Sequence, residues 1–194
     1  MKRNIFALAV LLISFTNVIA QTNTGIWDNK NTTYKNKKFY VEWKLPNELT
    51  WIGRPILTEK TKFKVRNDDT YILVSLSIIP YSGPNRNIWE YQNEIKEHVI
   101  SEAKMSAGMH DMQYRWVKCE KSKICGINAL RTIYDLSKYY PETNSTFHSI
   151  EYCYHVSYKN LLYNINVLAI SINEIEMNVF YPIAEYIIDG FHLE

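Results

Sequence analysis

Four extended segments follow one another without a helix between them, and this run constrains the fold more than any other feature of the 194-residue chain. They cover residues 112–119, 125–136, 147–158 and 161–170. Side chains alternate along them. In "IEYCYHVSY", Glu151, Cys153, His155 and Ser157 fall on one face, and Tyr152, Tyr154, Val156 and Tyr158 on the other. The tip "YKNLL" turns the third segment back into the fourth. A meander of this length argues for an antiparallel sheet.

The sequence on either side supplies more strands and two helices. Residues 38–45, "KFYVEWKL", place Phe39, Val41, Trp43 and Leu45 on one face of a strand that Pro46 ends. "TKFKVRNDDTYILVSLSII" reads as a hairpin about Asn67-Asp68-Asp69, and its second strand, apolar on both faces, is expected inside the sheet. Asn87 is suited to cap a helix running to about Ala107, with Ile88, Tyr91, Ile95, Val99 and Ala103 as its apolar stripe. Gly108 suits its stop. A last helix, capped by Asn173, would bury Ile175, Val179, Ile183 and Ile187, with Pro182 inside it. The expected element order is β-β-β-α-β-β-β-β-α, an α+β domain.

The first twenty residues, MKRNIFALAVLLISFTNVIA, read as a cleaved signal peptide. Lys2 and Arg3 precede an apolar run from Ile5 to Phe15, and Val18 and Ala20 are small enough for a peptidase site before Gln21. The alternative, an uncleaved anchor, calls for about twenty apolar residues, more than this run contains. Residues 21–36, polar enough for a flexible segment, read as a lead-in, and 37–194 as one domain. The whole chain has 22 basic and 20 acidic residues, and Lys2 and Arg3 account for the excess. A neutral chain with no run of like charge lacks the footprint of a nucleic-acid binder. Export also makes the mature chain one without a transmembrane segment.

With these elements in place, the chain resembles PsbP-like domains. The opening "KFYVEWKLPNELTW", with Pro46 after the strand and an aromatic at Trp51, is similar to the start of that family. So are a helix preceding a hairpin with Gly126 just past its turn, the strand-turn-strand "YHVSYKNLLYNINVLA", and the ending "IIDGF". The resemblance covers roughly residue 37 onward and rests on element order. It implies an antiparallel sheet flanked by helices, and a non-catalytic binding or accessory role. Nothing resembles a chloroplast transit peptide, so the photosynthetic role of the best-known members is not carried over.

Few residues suggest chemistry. Cys119 and Cys125, in "KCEKSKICG", are expected to form a disulfide across a strand-to-strand turn in an oxidising compartment, with two reduced thiols as the alternative. Their spacing fits neither a four-ligand zinc site nor a C-x-x-C redox site. Glu151, Cys153 and His155 in line are types that bind metal or support nucleophilic attack, set against the plainer reading of a polar face with a small buried Cys. His98 and Glu102 face the same way on the first helix, while His148 and His155, an odd number apart, face opposite ways. Asn31-Thr32-Thr33 and Asn144-Ser145-Thr146 match glycosylation acceptors. No P-loop, H-E-x-x-H or G-x-S-x-G occurs, and no cofactor is implied. The reading is an exported, non-enzymatic binding or accessory domain whose protein or small-molecule partner meets a sheet face or the loops at 82–86 and 141–146. The rival is a small exported hydrolase, metal-dependent or using Cys and His, built on Glu151, Cys153 and His155.

Overall fold

A computed structural model describes residues 25–52, 60–67, 70–81, 87–173 and 175–194. The leader, Asp68 and Asp69 of the first hairpin turn, and the loop at 82–86 lie outside the described residues. Two antiparallel sheets and two helices make the α+β architecture. The large sheet has the order β4-β5-β9-β8-β7-β6. Its strands are β4 (Lys60–Asn67), β5 (Thr70–Pro80), β6 (Gln113–Ile124), β7 (Ile127–Tyr140), β8 (Ser145–Tyr158) and β9 (Leu161–Ser171). The small sheet joins β1 (Ile26–Asp28), β2 (Thr33–Asn36), β3 (Val41–Lys44) and β10 (Phe191–Leu193). Helix α1 (Gln92–Met109) links β5 to β6, and α2 (Met177–Asp189) follows β9.

The meander forms as its alternation requires, with β6 to β9 in consecutive antiparallel register. Two tight turns set that register. Cys125 and Gly126 both have positive φ, as do Lys159 and Asn160, the backbone of two-residue hairpins whose twist matches the flanking strands. Strand β5 lies inside the sheet between β4 and β9, as its two apolar faces require.

One face of the large sheet meets the small sheet and α2. Ile72, Val74, Ile133, Tyr152, Tyr154, Ile165 and Val167 from the large sheet pack with Tyr34, Trp43, Phe180, Ala184, Ile187 and Phe191, all buried. Trp43 also donates from Nε1 to the Ile187 carbonyl at 2.9 Å, tying β3 to α2. The α2 core face is therefore Phe180, Ala184, Ile187 and Ile188, whereas Val179 is 59% exposed. Positions spaced by four drift around a helix of 3.6 residues per turn, so the expected stripe of Ile175, Val179, Ile183 and Ile187 does not stay on one face. Glu176, not Asn173, is the cap residue.

Three further expectations need correction. Residues 25–36 are not a loose lead-in, since they carry β1 and β2, and Tyr34 is fully buried among the core aromatics. Residues 37–39 form a 3₁₀ turn rather than strand, and Tyr40 has φ 55°, so the strand begins at Val41. Cys119 and Cys125 are free thiols and not at disulfide distance. Strand β6 runs past Cys119, which pairs with Thr132, and only Cys125 reaches the turn. Six residues of extended chain separate the two by roughly 20 Å, against a limit of about 7 Å between Cα atoms.

Candidate functional site

Glu151, Cys153 and His155 do share a face of β8, the face opposite the main core. Register places Tyr134, Thr132 and Leu130 of β7 beside them, and Leu168, Asn166 and Asn164 of β9 on the other side. Helix α1 covers this face with small side chains, burying Val99, Ala103 and Ala107. At the helix entrance, Trp89 Nε1 donates to the Ala129 carbonyl at 2.8 Å and Gln92 Nε2 to the Cys119 carbonyl at 3.1 Å.

Most polar groups beneath α1 pair with one another in neutral form, the buried Asn166 Oδ1 being an exception. Tyr134 donates its hydroxyl to Glu151. Enclosure of the Glu151 carboxyl pushes its pKa up to about 7, opposed by the Tyr134 hydrogen bond and reinforced by Glu102 of α1. His155 donates from Nδ1 to Asn164 Oδ1 at 2.8 Å and accepts from Thr132 at 3.1 Å, in the tautomer these partners select. Burial lowers His155 to about 4, with the neighbouring His98 acting the same way and Asn164 opposing. The Cys153 sulfur lies 3.8 Å from His155 Nδ1, and burial, with Glu151 and Glu102, holds the thiol well above its ordinary range. A thiol protonated and shielded from solvent is a poor nucleophile. No group of three or more His, Cys, Asp or Glu side chains suited to a metal ion occurs among the described residues. His98 and Glu102 sit 3.4 Å apart on the open side of α1, an exposed helical pair.

A second polar cluster lies on the core face. Arg131 is 8% exposed and inserts between the sheet and α2. It donates to Glu185 at 2.5 Å and to Tyr154 at 3.2 Å, and contacts Tyr181 and Glu120. Its guanidinium also stacks 4.7 Å from the Tyr181 ring centroid. Its Nη atoms carry these pairings while the buried Nε has no partner, and together they clamp α2 onto the sheet. The period-2 pattern marks Arg131 as inward, but charge argues the reverse and its partner Glu185 is 54 positions away.

Where α2 begins, the first residues of β6 and the neighbouring stretches of β7 and β8 border a concavity. A cavity of about 270 Å³ opens there, lined by Gln113, Arg115, Asp135, Ser137, His148 and Ile175 among others. Arg115 donates to Asp135 from Nε at 2.8 Å and from Nη2 at 2.5 Å. Register brings these two face to face across β6 and β7, and sets Ser137 opposite His148. Spaced 20 and 11 positions apart, the pairs emerge only once the strands are aligned. The cavity lies toward the same end of the β7–β8 hairpin as the loop singled out at 141–146. At that tip, Pro141–Thr143 form a 3₁₀ turn and Asn144 takes the left-handed conformation.

No helix among the described residues is long and apolar enough to cross a membrane. No family model and no curated protein sequence matches the chain. Solved structures do. The solution structure of cyanobacterial PsbP (CyanoP) from Synechocystis sp. PCC 6803 superimposes with a TM-score of 0.50 at 14% identity, covering 94% of this chain and 99% of that one. LpqN of Mycobacterium tuberculosis, described as involved in cell envelope biogenesis, gives 0.45 at 9% identity, covering 79% and 82%. The PsbP match supports a PsbP-like fold for the chain.

Proposed function

We propose that this protein is an exported, non-catalytic binding or accessory domain whose small polar ligand, or the polar tip of a partner, seats in the cavity at the start of α2. The observation that carries the reading is the convergence of Arg115, Asp135, Ser137 and His148 on one open concavity, while the more reactive side chains of β8 are sealed beneath α1. Cavities with a few fixed polar groups are the usual form of a small-ligand site. Export rests on the leader: a basic start, a short apolar core and small residues before Gln21. The PsbP-like fold accords with an accessory role, although fold alone assigns none. The rival hydrolase would need a substrate to reach Cys153 or His155 through α1, and a thiolate or basic imidazole once there.

The cavity is tested by thermal-shift screening of polar metabolites against the parent and an Arg115→Ala/His148→Ala variant. A compound that raises the melting temperature of the parent alone supports the reading. Compounds that stabilise both equally, or none in a broad panel, would overturn it.

A further inference from the structure

The three thiols are not equivalent. Cys153 is sealed, and Cys119 is half-buried with its sulfur 4.0 Å from the Gln92 carbonyl. Cys125 is exposed at the tip of the β6–β7 hairpin, which folds against the end of β10. There its sulfur lies 3.7 Å from His192 Nδ1 and donates to the Phe191 carbonyl at 2.7 Å. His192 faces Glu42 across the β10–β3 pairing, and Glu42 in turn holds Lys35 at 2.8 Å. The carboxyl of Glu42 is kept low chiefly by Lys35, with a contribution from His192. A nucleophile, a base in hydrogen-bond reach and an anion on the strand paired with that base are thus brought together from three chain segments.

We propose that Cys125 and His192 form a surface site for thiol–disulfide exchange, with an external disulfide as the co-reactant. Although Cys125 is exposed, partial enclosure of its sulfur raises the pKa of the thiol, opposed by the Leu193 backbone, and its proton rests on the Phe191 carbonyl, so attack requires a base beside it. His192, protonated at Nε2, takes the Cys125 proton at Nδ1 as the sulfur attacks one sulfur of the external disulfide. A Cys125–S–S–R bond forms, the original S–S bond breaks, and the departing thiolate recovers the proton from the imidazolium. The Cys125 sulfur is oxidised and the leaving sulfur reduced, so no other electron acceptor is needed. Glu42 stabilises the imidazolium formed in passing. The result is a covalent attachment on a surface pole, far along the sheet from the cavity and independent of what binds there.

The test follows reaction of the native chain with a chromogenic aryl disulfide, and with oxidised glutathione by intact mass. One thiol per chain should react in a fast phase and take up one glutathionyl group. Cys125→Ser should abolish that phase, while Cys119→Ser leaves it intact. His192→Ala should slow it at least about tenfold, with added imidazole restoring the rate, a rescue that a merely structural role would not show. Glu42→Gln should slow it less, by a factor that shrinks in high salt. Melting temperatures and His192→Gln guard against misfolding. A fast phase surviving Cys125→Ser, or a parent-like rate in both His192 variants, would overturn the proposal.

Discussion

At Gly190 the chain passes from α2 into β10 with no room to spare. Its φ is an ordinary −79°, so the requirement is space rather than conformation. A Cβ there would fall 1.8 Å from the Lys44 carbonyl oxygen, while Lys44 N donates to the Gly190 carbonyl at 2.9 Å. Gly190→Ala must push β3 and the end of α2 apart. We expect a loss of about 2 kcal/mol by urea unfolding, the scale of an overpacked interior site; an unchanged midpoint would refute it. Residue-scale features of this kind were only partly legible beforehand. The "IIDGF" ending marks a glycine but not its neighbour, which lies nearly 150 positions earlier in the chain. In "KCEKSKICG" the turn is expected to span the two cysteines, yet the strand continues to Ile124, with Lys121 and Lys123 as outward members of its alternation. The signal for the turn was Gly126, the residue best suited to the positive φ of its second position.

Helix α1 shows how an element can sit on polar ground without a countercharge. The side chains it buries are small, and beneath them burial disfavours the charged forms of Glu151 and His155 with opposite consequences for pH. The groups facing Glu151 are Tyr134 and Cys153, and those facing His155 are Thr132, Asn164 and Cys153; Glu102 and His98 act on them through space from the exposed side of α1. Glu151, raised from 4.5 to about 7, makes the closed state progressively less stable as pH rises through that interval. His155, lowered from 6.5 to about 4, makes it less stable as pH falls through its own interval. Between pH ~4.5 and ~6.5 the two offset, because lifting α1 lets one group lose a proton and the other gain one. Amide exchange under α1 should therefore be nearly flat with pH once corrected for intrinsic rates. In Glu151→Gln, opening should become about 40-fold rarer from pH ~4.5 to ~6.5; in His155→Gln it should become about 40-fold commoner. Matching slopes in both variants would defeat this account. The line of Glu, Cys and His was legible from alternation alone. That a helix with small inner residues covers it was not, because the helix stripe names an inner face without naming what it meets.

At the scale of the molecule, the core is shared between a long meander and a small sheet assembled from both ends of the described chain. The meander could be read in outline because each strand is long and its neighbour is next in sequence. Strands β1, β2 and β10, three or four residues each, are too short to show a period, and the polar stretch around Tyr34 concealed a fully buried ring. A chain starting at residue 37 should thus lose the contacts of Tyr34 and Trp27 with Phe63 and melt well below one starting at residue 21. Loss of one buried aromatic alone costs about 3–5 kcal/mol. Equal melting temperatures for the two chains would return the segment to the status of a lead-in.

The strand order β4-β5-β9-β8-β7-β6 also sets a timetable for folding. All six strands of that sheet pair with a partner adjacent in sequence, and three hairpins, β4–β5, β6–β7 and β8–β9, can close before the rest of the chain has been sorted. The β5–β9 seam is different: it joins Pro80 to Leu161 across about 80 intervening residues, including α1 and three strands. Until that seam forms, β9 is a bare edge with its backbone groups open to pairing with another molecule. The slowest step and the moment of greatest exposure to aggregation then coincide at a single zipper, which pulse-labelled exchange on β5 and β9 would time.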